Sequence, residues 1–171
     1  MMKTVSFKND VLPLKNVLYR LALRITLNPQ DAEDIVQETM IKVWNKRDSW
    51  SQIDNIEAFC TTICKNLALD HARHHARWDD DGEPIGQQET AQGATPYDEM
   101  VTTNRVEIVR SLINRLPVKQ RSVLQLRDFE GKPYKEIATA LGMTEDQVKV
   151  NIFRARQAIK AKFNELDNYG L

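Results

Sequence analysis

The stretch Tyr134 to Ile159, YKEIATALGMTEDQVKVNIFRARQAI, decides how this chain is read. Ile137, Ala138 and Leu141 fall on one side of a short helical pattern that stops at Gly142, a residue suited to the left-handed backbone of a helix end. The pattern restarts at once, with Thr144 as N-cap and Glu145 and Asp146 in the positive first turn. Val148, Ile152, Ala155 and Ile159 then recur at steps of four, three and four, which predicts the buried stripe of a second helix. Two helices around a glycine turn make a helix-turn-helix. Gln147, Lys149, Val150, Asn151, Phe153, Arg154 and Gln157 lie off the stripe and are expected to face outward. Apolar side chains there can meet thymine methyl groups in a major groove, while Lys149 and Arg154 can meet phosphates or guanine. Two ordinary packed helices would share the stripe, but the capped restart and the outward cations favour a DNA reader.

Outward from this segment the chain divides into three. Residues 79–104 read DDDGEPIGQQETAQGATPYDEMVTTN, with Gly82, Pro84, Gly86, Gly93 and Pro96 and no apolar stripe, which predicts a flexible linker. The formal net charge of zero hides an uneven distribution. Residues 1–78 carry 11 basic and 9 acidic side chains, residues 79–104 carry 0 and 7, and residues 105–171 carry 13 and 8. A basic C-terminal piece suits a polyanion; the acidic middle does not. Periodicity near 3.6 dominates both flanking pieces, so the expected fold is all-α: two small helical domains, 1–78 and 105–171, joined by the acidic linker 79–104. Helix breaks are expected at Asn28-Pro29, around Asp48 to Asn55, at Pro117, at Gly131 to Pro133 and at Gly142. Bundles of this size bury thin cores, which predicts modest stability and dependence on partners. No apolar run is long enough to cross a bilayer and no secretory signal opens the chain, so a cytoplasmic protein without membrane insertion is expected.

Two N-terminal helices carry contrasting faces. In DAEDIVQETMIKVWNKR, from Asp31, the residues Val36, Met40, Val43 and Trp44 are expected inward, while Asp34, Gln37, Glu38, Ile41 and Asn45 share the opposite sector. An acidic face holding one isoleucine suits a basic protein helix better than DNA, although a merely solvated face has the same pattern. From Ile56 to Arg77, the expected buried stripe is Ile56, Cys60, Ile63, Cys64 and Leu67, and Lys65, Asn66, Arg73 and Arg77 form a basic face suited to phosphates, with Asn66 able to reach a base edge. Cys60, Cys64, His71 and His75 share one narrow sector, yet Cys60 and His75 stand roughly 22 Å apart along a helix, beyond the span of one zinc ion. A His71–His75 pair stays open, but no metal or cofactor is expected and the cysteines are expected as free core thiols. No phosphate loop, nucleophile–base pair or carboxylate cluster points to an enzyme.

DAEDIVQETMIKVW, then AFCTTICKNLALDHAR, then INRLPVKQRSVLQLRDFEGKPYKEIATALGMTEDQVKVNIFRARQAI resemble regions two and four of the extracytoplasmic-function sigma factors of bacterial RNA polymerase. The order and spacing match over nearly the whole chain. The resemblance implies a non-catalytic subunit that binds core polymerase, through its β′ coiled coil and β subunit, and directs it to promoter DNA. It implies that Asp34, Gln37, Glu38 and Ile41 meet polymerase, and that Lys65, Asn66, Arg73 and Arg77 serve the −10 element, Asn66 capturing an unstacked base. It implies a −35 set of Thr144, Gln147, Lys149, Val150, Asn151, Phe153, Arg154 and Arg156, with Arg154 and Arg156 on the backbone. An anti-sigma factor covering both domains is implied as a regulator. The linker, Asp79, Asp80 and Asp81 included, is expected to thread the basic RNA-exit path. The recognition helix is less basic than the family often shows, so no promoter sequence is inferred. A stand-alone helix-turn-helix regulator is the rival, but it leaves the Asp34, Gln37 and Glu38 face unexplained.

Overall fold

The computed structural model describes residues 4–72 and 105–167, and every regular element among them is helical. After a wide turn at Phe7–Val11 and a 3₁₀ turn at Leu12–Leu14, the N-terminal half forms α1 (Lys15–Thr26), α2 (Pro29–Asn45) and α3 (Ile56–His71). The C-terminal half forms α4 (Arg105–Asn114), α5 (Val118–Leu124), a further turn at Gln125–Phe129, α6 (Tyr134–Leu141) and α7 (Glu145–Asp167). The linker with its aspartates lies outside the described residues, as do Arg73, Arg77 and His75.

Local chemistry accounts for each break. Asn28 caps α2 by accepting from the Asp31 amide at 3.1 Å, and Pro29 stands in the first turn, where a missing N–H leaves no bond unmade. Asn55 caps α3 in the same way, accepting from the Ala58 amide at 3.0 Å. Between these helices the 3₁₀ segment Arg47–Gln52 carries Trp50 back under α2, where its indole N–H donates to the Val43 carbonyl at 3.0 Å. Pro117 precedes α5 and Pro133 precedes α6, while Gly131 (φ 69°) and Gly142 (φ 67°) supply the left-handed turns that follow Glu130 and close α6.

The two halves do not keep separate cores. One apolar cluster runs from Leu18, Leu21 and Ile25 of α1, through Ile35, Val43, Cys60 and Cys64, into Val123, Leu126, Ile137, Leu141 and Ile152 of the C-terminal half. Two satellite clusters, around Leu116 and around Leu112, lie within the C-terminal half. The thin core expected of each small bundle is thickened by the other, with α6 laid on α3 and α5 on α1. The seam between α3 and α6 leaves a cleft of about 10 Å³, lined by Ala58, Thr61, Leu126, Ile137 and Ala140. That is the lower limit for a single water, so the joint is a packed one.

Candidate nucleic-acid interface

Along α2 the buried side is Ala32, Ile35, Val36, Thr39 and Val43. Asp34 and Gln37 are exposed on the other side, Glu38 is half-buried, and Ile41 is 60% exposed. An isoleucine left this open among polar neighbours costs hydration free energy that only a partner would recover. Trp44 corrects the expected stripe: it is 46% exposed, edge-on to Phe7 at 5.5 Å and to Trp50 at 6.3 Å, with the Arg47 guanidinium 4.6 Å from its ring centroid. Trp50, folded back beneath α2, takes the interior position instead.

The buried stripe of α3 follows expectation at Cys60, Cys64 and Leu67, while Ile56 and Ile63 are half-buried. Cys64 donates to the Leu18 carbonyl at 3.4 Å, and desolvation pushes both thiols up to about 12, the mark of packing groups rather than nucleophiles. Asn66 is exposed. Lys65 is not on an open basic face as the periodicity predicts. It is 9% exposed, and its ammonium meets the Leu141 carbonyl at 3.4 Å, while neighbouring Thr62 donates to the Ala140 carbonyl at 3.0 Å. Burial lowers the Lys65 pKa, since the charged form has lost water.

Helix α7 begins with a reciprocal cap. The Thr144 hydroxyl accepts from the Gln147 amide at 3.1 Å, and the Gln147 side chain accepts from the Thr144 amide at 2.9 Å. Beyond it Lys149, Val150, Phe153 and Arg154 stand exposed, Phe153 at 63%, with Lys149 also 5.7 Å from the Tyr134 ring centroid. Two cations and two apolar side chains on one open helix, held rigid by the Val148, Ile152 and Ala155 stripe, can read a major groove. Asn151 corrects the expected outward set. It is 5% exposed, donates to the Gln147 carbonyl at 2.7 Å and leaves its Oδ1 buried without a partner among the described residues. One step of 100° separates it from Val150, enough to turn it beneath the helix. Arg156 is half-exposed and forks onto Asp128, with Nε at 3.1 Å from Oδ2.

Sequence reasoning missed a set of polar groups across the seam. Arg121, 3% exposed on α5, donates to the Arg24 carbonyl at 2.6 Å, the Ile25 carbonyl at 2.8 Å and the Leu116 carbonyl at 2.7 Å. Desolvation pulls its pKa down to about 10, which still leaves it charged at neutral pH. Arg24 reaches Gln125 at 2.9 Å and Asn114 at 2.8 Å, Arg20 forks onto Glu130 at 2.6 and 2.7 Å, and Lys132 pairs with Glu57. The available signal was an arginine in the middle of α5, a short helix that holds no acid to pair with it.

Comparison with known proteins bears on both halves. Residues 11–78 match the family model of Sigma-70 region 2, and residues 107–159 match that of Sigma-70 region 4. The chain is 30% identical to the ECF RNA polymerase sigma factor SigL of Mycobacterium tuberculosis over 88% of its own length and 84% of that relative. It is 28% identical to SigW of Bacillus subtilis over 89% and 86%. Among solved structures it is similar to the sigma factor RpoE from Bartonella quintana, in complex with the anti-sigma factor NepR, with a TM-score of 0.66, 24% identity and coverage of 96% and 98%. CnrH in complex with the cytosolic domain of CnrY gives the same TM-score at 22% identity, over 93% and 88%.

Proposed function

This chain belongs to the extracytoplasmic-function sigma factors of RNA polymerase, and from that premise we propose how its surfaces divide the work. As a sigma factor it binds core polymerase and directs promoter-specific initiation. The exposed Asp34, Gln37 and Ile41 with Glu38 form the polymerase-docking face of residues 1–78. Asn66, together with Lys65, Arg73 and Arg77, takes the opened −10 strand. Residues 105–171 read the −35 duplex with Lys149, Val150 and Phe153, while Arg154 and Arg156 hold the backbone. Thr144 and Gln147 serve that surface by fixing the start of the reading helix, and Asn151 supports it from beneath. Residues 79–104 link the two domains. The protein contributes recognition rather than catalysis and acts in the cytoplasm, and an anti-sigma partner holds it inactive.

The observation that carries this reading is the α2 face, where Ile41 is left 60% open between Asp34, Gln37 and Glu38. A regulator acting alone on duplex DNA has no use for such a surface. Two modest interfaces gain useful affinity once polymerase links them, because the second contact becomes intramolecular. Gel filtration with core polymerase followed by abortive transcription on genomic fragments tests the reading. Co-elution and specific initiation are expected, both weakened in the Asp34→Ala/Gln37→Ala/Glu38→Ala variant. Tight promoter binding by the protein alone, with no affinity for its host's core enzyme, would replace this reading with the stand-alone regulator.

A further inference from the structure

One corner of the molecule gathers cations without acids to match them. Arg24 reaches out from α1 with its Nε on Gln125 Oε1 at 2.9 Å and its Nη1 on Asn114 Oδ1 at 2.8 Å, both neutral acceptors. The carboxylate beyond Gln125 is Glu130, which the Gln125 amide binds at 2.9 Å and the Arg20 fork neutralises. Gln125 therefore stands between Arg24 and that acid. Arg110, one turn before Asn114 on α4, is exposed and makes no hydrogen bond or ion pair among the described residues. Its charge bears on Arg24, whose pKa is lowered first by burial and then by Arg110. Arg121, bonded to the Arg24 carbonyl, directs its N–H groups at carbonyls and has Arg24 as a further like charge. Three guanidiniums thus converge with no carboxylate bound to them among the described residues, and an anion is what lowers the energy of such a group.

Phe129 gives the corner a second chemistry. It is 56% exposed, with the Arg24 guanidinium 5.7 Å from its ring centroid, so a flat apolar face lies open beside the charges. An open aromatic ring stacks bases, while guanidiniums bind phosphate oxygens in forked pairs. We propose that Arg24, Arg110 and Phe129 form a binding site for a nucleoside polyphosphate. The base stacks on Phe129, and the phosphates meet the Arg110 guanidinium and the Arg24 Nη2, which has no hydrogen bond among the described residues. Asn114 and Gln125 act as positioning residues, because their two bonds fix the plane of the Arg24 guanidinium. None of these residues belongs to the polymerase-docking or promoter-reading sets, so the site is separate from both. A ligand held there stabilises the folded chain by mass action.

Calorimetric titration of the full chain with ATP, at low salt and without divalent cations, tests the site. Saturable binding of one ATP per chain is expected, with pyrophosphate, which has no base, and adenosine, which has no phosphate, each weaker by about tenfold or more. Arg110→Glu and Phe129→Ala alter exposed side chains and should keep the wild-type circular dichroism, yet each should weaken ATP binding by about tenfold or more. Lys135→Glu, an equal charge change at an exposed lysine of α6, should leave it unchanged. The unfolding midpoint of the wild type should rise with ATP concentration, and that of Arg110→Glu should not. No saturation up to about 1 mM ATP overturns the proposal. So does ATP binding that Lys135→Glu weakens as much as Arg110→Glu, the mark of diffuse attraction to a basic surface. Pyrophosphate binding as tight as that of ATP, with Phe129→Ala silent, overturns the nucleoside assignment.

Discussion

Helices α2 and α3 each carry polar side chains that sequence patterning assigns to recognition, yet the α2 set is largely open while on α3 Asn66 is exposed and Lys65 is covered. The α2 face is acidic, and among the described residues α2 packs chiefly on α1 and α3, so Asp34, Gln37 and Ile41 meet water. On α3, Lys65 and its neighbour Thr62 turn toward α6, which presents a helix end that these donors satisfy. Amphipathic periodicity distinguishes polar from apolar sides; it carries no information about which polar side another part of the same chain will claim. A lysine makes this ambiguity acute, because its long apolar stem packs well while its charge needs only carbonyls in place of water.

The contrast can be broken most forcefully at Arg121. Arg121→Ala removes three charge-assisted bonds and leaves the Arg24, Ile25 and Leu116 carbonyls short of a donor, so urea denaturation should show a loss of about 3–5 kcal/mol. A loss under about 1 kcal/mol would mean that the seam does not need its caps. Leu141→Ala, in the cluster shared by both halves, should cost about 2–4 kcal/mol and should lower the unfolding midpoint of α1–α3 and of α4–α7 together. Separate midpoints, followed by intrinsic fluorescence of Trp44, Trp50 and Trp78, all within residues 1–78, and by hydrogen exchange for the other half, would show the cores to be independent. Thr144→Ala breaks one half of the α7 cap and should cost about 1 kcal/mol, while weakening −35 binding with little change at −10.

Acid sharpens the comparison from another side. The hydrogen bond from Arg20 holds the Glu130 carboxyl below the usual range, aided by Gln125 and opposed by burial. A lowered folded-state pKa gives stability that is present above the ordinary glutamate range, about 4.3, and is lost as pH falls through the folded value. Scattering should therefore show the halves loosening below about pH 4.3, and Glu130→Gln should flatten that dependence. The smallest effect belongs to the open face: the alanine triple at Asp34, Gln37 and Glu38 should change stability by less than about 0.5 kcal/mol while weakening polymerase binding.

Much of this was legible in the residues. Asn28, Asn55, Pro117, Gly131, Gly142 and Thr144 start and stop helices through their own backbone and side-chain chemistry, which acts over three or four residues and so survives reading without a fold. The exposed side of α7 was legible for the same reason, except at Asn151, whose place beside the stripe is decided by a few tens of degrees of helix rotation. Trp44 and Trp50 could not be ranked from α2 alone, since the second belongs to a turn whose direction is set by the packing of α3.

The sequence by itself determined an all-helical chain of two sigma regions, its helix-turn-helix and the acidic face of α2, because each of these rests on contacts close along the chain. Only the tertiary structure decided that Lys65 turns inward, that Arg121 closes α1 and that the two halves share a core. The Lys65 and Arg121 contacts join groups 76 and 97 residues apart, and a cation seeking carbonyl oxygens carries no local mark of which helix end will receive it.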